Sequence, residues 1–368
     1  MVDVPARFRA TLTIVIDLSL NNGRSPQACV DVMRTFAMHD ALRLYSEIDN
    51  RRLKKAIAAA DHVGAEHVYL ANGSGPLLKQ CIPYVIRRRV MASLLRMPRH
   101  LVNGGGYPVI TPTFTYSKVP PQGRQRGLAI RLLPMAPETG LRIEPEDIAR
   151  ALRQQAGFVY LCNPNNPTGQ VMLARDPLIE LLERFPGSTF WIDEAYVHYL
   201  SPLEYRPVSD LVPRYPNLMV SRSFSFAYGL AALRVGYLLA SPALVAIFEG
   251  QVTGYRLVLL QEEMALAALA DTEHLPALRQ QVAAGRAQFV RVLAQDPGVQ
   301  VFDSKANFVL ARFTDGRPGA ALAAAMLTHG IRIKSFSPFE HVSFDPYFRL
   351  TVGTPEENRI AAKPWHRR

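Results

Sequence analysis

The sequence predicts an α/β fold in two parts, and three observations carry that prediction. Short apolar runs bounded by turn residues alternate with stretches of helical periodicity through the first two thirds of the chain, the pattern of strands linked by helices. The runs are short and nearly continuous, which suits a parallel sheet covered on both faces. From about Pro242 the texture changes to long alanine- and leucine-rich helices between Leu260 and Leu293, followed by three more apolar runs. That change reads as a second, smaller domain.

Taken in order, Thr11–Leu18 reads as an early strand and Ala41–Ala60 as an amphipathic helix ending near Asp61-His62. His67–Leu70 is a short strand leading into Asn72-Gly73-Ser74-Gly75-Pro76. A helix follows from about Pro76 to Leu95, since proline is favoured at a helix's first position. The stretch 98–106, with three consecutive glycines, is the expected flexible loop of this part. Val109-Ile110, Leu128–Ile130, Phe158–Leu161, Thr189–Ile192, Leu218–Val220 and Val235–Ala240 are the further strands of the first part. Gln300–Phe302, Phe308–Leu310 and Phe348–Val352 are those of the second, and 363–368 is expected to be a loose tail.

Composition narrows the function classes. At 368 residues and 48% hydrophobic content the chain can build a substantial core. It has no apolar run of membrane-spanning length, and Met1–Arg7 lacks the layout of a secretory signal. Cys29, Cys81 and Cys162 are far apart and form no metal-like cluster, which fits reduced thiols and a cytoplasmic location. The net charge of +11 is spread along the chain, densest at Arg87-Arg88-Arg89 with Arg96 and Arg99. No aromatic-interleaved basic stripe accompanies it, so nucleic acid is not the expected partner. The excess charge reads either as a solvated face or as attraction for an anionic ligand.

Three motifs carry chemistry. Asn72-Gly73-Ser74-Gly75-Pro76 lies between a strand and a helix; glycines admit close backbone approach, and a helix N-terminus offers free N–H groups to an anion. Gly75 can donate there, whereas Pro76 has no N–H to give. Cys162-Asn163-Pro164-Asn165-Asn166-Pro167-Thr168-Gly169 follows a strand and on composition alone is a turn-rich loop. Trp191-Ile192-Asp193-Glu194-Ala195-Tyr196 places an acid at a strand's end.

Together with Ser221-Arg222-Ser223-Phe224-Ser225-Phe226-Ala227-Tyr228-Gly229-Leu230, Leu233-Arg234-Val235-Gly236-Tyr237 and Tyr347–Thr354, these motifs resemble the fold-type I pyridoxal 5'-phosphate (PLP) aminotransferases, histidinol-phosphate branch, from about Ile16 to Asn358. The resemblance implies a PLP-transferase (aspartate aminotransferase-like) fold, with a large domain on a mixed, mostly parallel sheet and a small α/β domain. The division expected is 1–38 as an N-terminal segment joining the small domain, 39–241 as the large domain and 242–368 as the small one. It also implies a homodimer, because this family builds each site from two chains.

Residue by residue, the resemblance gives Asn166 and Tyr196 to the phenolic oxygen of the cofactor and Asp193 to its ring nitrogen, where a carboxylate keeps the ring an electron sink. Gly73 and Ser74 match phosphate contacts, Gly75 stands where the family has an acid but can still donate its N–H, and Ser223, Ser225 and Arg234 match the further phosphate contacts, arginine supplying a planar donor fork. Tyr116 lies in the segment that carries an aromatic stacked on the ring, and Tyr45 resembles the tyrosine lent by the second subunit. Ordinary core packing is the alternative for both tyrosines. Arg349 matches the arginine that clamps a substrate carboxylate. Asn307, in Ser304–Phe308, lies beside it, and Lys334 stands where a second arginine is usual. The usual N-E-N-P-x-G loop is shortened to Asn21-Asn22-Gly23-Arg24, with Asn22 on the substrate side.

The departure that matters most is Phe226. Those enzymes read T-F-S-K-A-x-G-L here, and the lysine both holds the cofactor covalently and moves the proton of transamination. Phenylalanine does neither, so ordinary transamination is not expected. One reading is an enzyme that binds PLP or its amine form, pyridoxamine phosphate (PMP), non-covalently, with Tyr196, His198, Lys334 or Lys305 as base. Others are a PLP-independent enzyme holding another anionic ligand in the phosphate pocket, a catalytically inactive partner protein, and an engineered replacement in an ordinary aminotransferase.

Overall fold

A computed structural model describes residues 16–96, 106–125, 127–251, 256–337 and 343–367. Of the early strand expected at 11–18, the described end is β1 (Ile16–Asp17); the loop at 98–105 lies outside the described residues. The chain continues through α1 (Gln27–Met38), α2 (Arg51–Asp61), β2 (Val68–Ala71), α3 (Ser74–Arg96), β3 (Val109–Pro112), α4 (Val119–Gln125), β4 (Ile130–Leu133), α5 (Pro145–Gln154), β5 (Phe158–Cys162) and α6 (Arg175–Arg184). Then follow β6 (Thr189–Asp193), β7 (Leu218–Ser223), β8 (Gly236–Leu239), α7 (Pro242–Gly250), α8 (Leu259–Ala270) and α9 (His274–Leu293). The last elements are β9 (Val299–Val301), β10 (Phe308–Phe313), α10 (Gly319–Thr328), β11 (Ile331–Arg332), β12 (Lys334–Ser335), β13 (Tyr347–Thr351) and α11 (Pro355–Ala362).

Two compact units result: Gly23–Gln280, and the chain before Gly23 together with Gln281 onward. The divisions at 22 and 280 differ from those expected at 38 and 241. The reason is packing: α1 lies on α8, and α8 lies on α2, so helices from both sides of the expected boundaries share one core. The smaller unit carries an antiparallel sheet in the order β12-β13-β10-β9 and a parallel pair, β1 with β11.

The larger unit holds a seven-stranded sheet in the order β2-β8-β7-β6-β5-β3-β4. Strands β4, β3, β5, β6 and β7 are mutually parallel, and β8 alone runs against both its neighbours. This is the mixed, mostly parallel sheet expected. Strands β5, β6 and β7 are buried along their whole length, as central strands covered on both faces must be.

Two local expectations are corrected. The helix expected over Ala41–Ala60 forms only at Arg51–Asp61, after a single 3₁₀ turn at Ala41–Arg43. Asn50 takes a positive φ of 46° and uses its amide on the backbone of Leu257, accepting from its N–H and donating to its carbonyl. A side chain satisfied by distant backbone in this way stops the helix at its own position. The helices expected between 260 and 293 are α8 and α9, separated where Asp271 accepts from the His274 N–H at 3.0 Å and caps α9. The tail is not loose through 367: Lys363–Arg367 is a 3₁₀ turn. Trp365, 8% exposed, stacks on Phe348 with ring centroids 6.0 Å apart. No helix among the described residues is long and apolar enough to cross a membrane.

One buried ionic cluster joins α2 to the sheet. Arg222 on β7 donates to Glu194 through Nε at 3.0 Å and Nη2 at 2.7 Å, and pairs with Asp61 at the end of α2 through Nη1. Tyr205 and the Val208 N–H donate to Glu194, and Tyr237 on β8 donates to Asp61 at 2.8 Å. Removing one partner of such a cluster leaves a buried charge uncompensated. Arg222→Met is therefore expected to destabilise the fold by roughly 3–5 kcal/mol in urea denaturation; a loss below about 1 kcal/mol, the surface-pair range, would show that the cluster is not a structural bolt.

Candidate active site

The carboxyl ends of β5, β6 and β7 lie side by side, the place where open α/β sheets bind ligands. After β5 the three asparagines divide their labour. Asn163 accepts from the N–H groups of Met172 and Leu173 and donates to the Leu173 carbonyl and Tyr205. Asn165 donates to the Phe114 carbonyl and to Thr168, and accepts from Thr115 at 2.8 Å. These two hold the loop's shape. Asn166 instead donates from Nδ2 to the Tyr196 hydroxyl at 3.2 Å.

Asp193 ends β6, buried to 4% exposure. Tyr160 on β5 donates to one of its oxygens at 2.8 Å, and Ser221 on β7 to the other at 2.9 Å. Trp191 donates in turn to Ser221 at 2.7 Å, which fixes that hydroxyl's direction. Sequence reasoning missed Tyr160 and Ser221; the signal for Tyr160 is a hydroxyl within an otherwise apolar central strand, whereas Ser221 sits beside Arg222 and Ser223 and is marked only by its pairing with Asp193. Burial pushes the Asp193 carboxyl above its usual range against these hydrogen bonds. No lysine, arginine or histidine among the described residues pairs with it. A buried carboxylate without a cation is costly, and a protonated ring nitrogen is a group that would balance it. Tyr116 lies close by, its hydroxyl pushed up to about 12 by burial and by the Asp193 charge, and so stays neutral.

An anion cradle forms from three segments. Gly73, at φ +91°, precedes α3, and a Cβ there would stand 2.4 Å from Nη2 of Arg234, so only glycine admits the arginine. A Cβ at Gly236 would stand 2.9 Å from the backbone of Gly73 and Ser74, which brings β8 against the same turn. A Cβ at Gly75 would meet nothing within 4 Å among the described residues, which leave the first turn of α3 open on that side. Arg234 reaches Ser225 at 3.4 Å, and the Ser225 N–H donates to Ser223 at 3.0 Å. Hydroxyls, a guanidinium and free N–H groups of a helix start are the donor set of a phosphate ester. Asn72 is turned away, bonded to the Arg256 carbonyl and Gln261.

Phe226 follows Ser225 in the chain and packs beside Tyr196. Its ring stacks on Tyr196 with centroids 4.5 Å apart and planes 22° from parallel. Its backbone is fixed on several sides. A Cβ at Gly23 would stand 1.8 Å from the Phe226 carbonyl oxygen, Ser25 donates to Gly229 at 3.1 Å, and His274 Nε2 bonds the Ala227 carbonyl at 2.7 Å.

Of the remaining predicted residues, Arg349, Lys334, Asn307 and Asn22 belong to the smaller unit and Tyr45 to the larger. Arg349 on β13, buried to 5% exposure, donates to the Ser19 carbonyl at 2.6 Å and lies over the Phe308 ring. Lys334 on β12 is its cross-strand neighbour and is exposed. Asn307 donates to the Asn21 carbonyl at 3.0 Å, and Asn21 also bonds Thr351. Asn21 is buried in this network, whereas Asn22 is exposed. Tyr45, in the larger unit, is 82% exposed, with Ser46 beside it anchored to the Leu257 carbonyl at 2.6 Å.

His198 is sealed at Nδ1, which has no hydrogen-bond partner among the described residues, and its ring meets Tyr228 edge-on. Burial, then the charges of Arg222 and Arg279, push its pKa down to about 3. It is neutral at pH 7 and a poor base. An unfolded histidine titrates near ~6.5, so the unfolded chain binds the extra proton first. Stability is expected to fall as pH drops from ~6.5 toward 3. His198→Phe should flatten that slope in urea midpoints measured across this window; an unchanged slope would contradict the assignment.

Comparison with known proteins agrees with this architecture. A family model described as aminotransferase class I and II matches residues 13–364. The chain is 33% identical over 354 residues to a histidinol-phosphate aminotransferase of Gluconacetobacter diazotrophicus, covering 95% of this chain and 90% of that one. It is 32% identical to histidinol-phosphate aminotransferase 1 of Bradyrhizobium diazoefficiens, covering 93% and 89%. In fold it is similar to histidinol-phosphate aminotransferase from Sinorhizobium meliloti in complex with pyridoxal 5'-phosphate (TM-score 0.78, 24% identity, 98% and 92% covered). It is also similar to L-threonine-O-3-phosphate decarboxylase from Porphyromonas gingivalis (TM-score 0.74, 21% identity, 96% and 99% covered). By sequence over nearly its whole length, and with the matching fold, the chain belongs to the class I and II aminotransferase family.

Proposed function

We propose that the chain binds PLP or PMP without a covalent link and acts on an amino-acid-like substrate bearing a carboxylate. The observation that carries the proposal is the stack of Phe226 on Tyr196, an aromatic pair where the family resemblance calls for the cofactor lysine. Gly73, Ser74, Gly75, Ser223, Ser225 and Arg234 would hold the phosphate. Asn166 and Tyr196 would hold the phenolic oxygen, Tyr116 would flank the ring, and Asp193 would face the ring nitrogen. When bound, the group supplies a ring that takes up carbanion charge. Asp193 also favours this reading over another phosphate-bearing ligand, because a buried carboxylate that no cation among the described residues pairs asks for a protonated partner.

The chain's own residues set the chemistry. Phe226 excludes water from one side of the site and offers no proton. His198, depressed to about 3, holds none at neutral pH. The Tyr196 hydroxyl, next to the Phe226 ring and bonded to Asn166, is the larger unit's candidate to give or take one. Lys334 and Lys305 are the smaller unit's candidates. Arg349 takes the substrate carboxylate through its planar donor fork, with Asn307 and Asn22 beside it in the family pattern. The working form is a homodimer: Met38, Leu44, Tyr45 and Ile48 are all exposed, an apolar stretch suited to a second copy of the chain.

General base catalysis contributes roughly 10²–10⁴ in rate. Phe226→Lys is therefore expected to capture PLP covalently and to raise single-turnover transamination of an amino acid by roughly that factor. Folded variant protein that gains neither would overturn the proposal that the rest of the cofactor site is intact.

A further inference from the structure

The pairing of β6 with β7 sets Asp193 opposite Ser221, and successive residues of extended chain face opposite ways. Asp193 and Ser221 thus form one rung on the candidate site's side. Glu194 and Arg222 follow them in the chain and bond each other on the reverse side. Arg222 is shared with Asp61, so two carboxylates stand against one guanidinium. That buried cluster carries a net charge of one negative unit, immediately behind Asp193.

We infer that Glu194 and Asp61 are positioning residues that act through this charge, holding a basic ring nitrogen at Asp193 in its protonated form. The inference rests on the cofactor reading given above. Its physical basis is that a like charge in a dry interior opposes ionisation of Asp193, while the same negative potential favours a cation placed against it. The Glu194 charge is among the causes that raise the Asp193 carboxyl, after burial. Both effects move proton binding toward higher pH.

The other groups around the two rungs do not titrate in the working range. Tyr160 and Cys162 from β5, and Tyr116 beyond β3, face Asp193, and burial pushes all three up. Tyr205 faces Glu194 and Tyr237 faces Asp61, both likewise pushed up by burial. His198, which feels Arg222 and Arg279, is neutral. Arg222 stays charged between its two carboxylates. The pH response therefore belongs to Asp193 and to the ligand.

The test is calorimetric binding of PMP to the full chain and to Glu194→Gln and Asp61→Asn, each from about pH 5 to 9, with inorganic phosphate as a second probe. PMP affinity is expected to have an acid limb, where Asp193 takes up a proton, and an alkaline limb, where the ring nitrogen loses one. In both variants both limbs should slide toward lower pH, by roughly one unit, while phosphate affinity stays unchanged. A merely structural role weakens binding at every pH without moving the limbs, and that result overturns the inference, as do profiles identical to the wild type. Failure of the wild type to bind PMP while it still binds phosphate overturns the cofactor reading itself, and this inference with it. Should one variant fail to fold, the other decides, because each removes one negative charge; Asp61→Asn can turn its Nδ2 to the Tyr237 hydroxyl, whereas Glu194→Gln gives up one acceptor, since both Glu194 oxygens accept.

Discussion

Arg222 must be neutralised inside the core, and much of the larger unit is arranged around that requirement. Its guanidinium is reached by a carboxylate from the end of α2 and by another just past β6. Tyrosines from β8 and from the loop after β6 complete the shell. Desolvated charges gain from such pairing only with close geometry and filled lone pairs. That demand fixes the register of β6 on β7, and the register places Asp193 and Ser221 together on the other face. The candidate site and the ionic cluster are two sides of one pairing.

The same economy appears at the anion cradle. The glycine at 73 exists for Arg234, and the glycine at 236 for the backbone of 73 and 74. Gly73 also takes a φ of +91° that other residues rarely adopt, and each glycine removes a Cβ that would hold two segments apart. Three distant stretches of sequence thereby converge on one donor set. Phe226 sits among these fixed pieces with its backbone clamped by Gly23, Ser25 and His274. A side-chain change at 226 alters what the site can do without altering how it is built.

Much of this was legible in the sequence. The central strands were found because turn residues bound each apolar run, and the loop at 163–169 and the acid at 193 were found because they resemble the family's motifs at the family's spacing. What stayed hidden depended on distant partners. Asn50 ends a helix early because Leu257 meets it. Asn72 opens the Asn72–Pro76 motif but is drawn off by Arg256 and Gln261. Asn21, rather than Asn22, is the buried member of its loop because Thr351 and Asn307 hold it. Tyr160 and Ser221 gain meaning only once strand order puts them on either side of Asp193.

The central claim is that the larger unit keeps a cofactor site while residue 226 no longer anchors the cofactor. The most direct measurement is the visible absorption of the purified wild-type chain titrated with PLP, followed by borohydride reduction, denaturation and mass analysis. Saturable binding with no retained mass on the denatured chain is the predicted result. A covalent adduct mapped to Lys334 or another lysine, or no saturable binding at all, would contradict it.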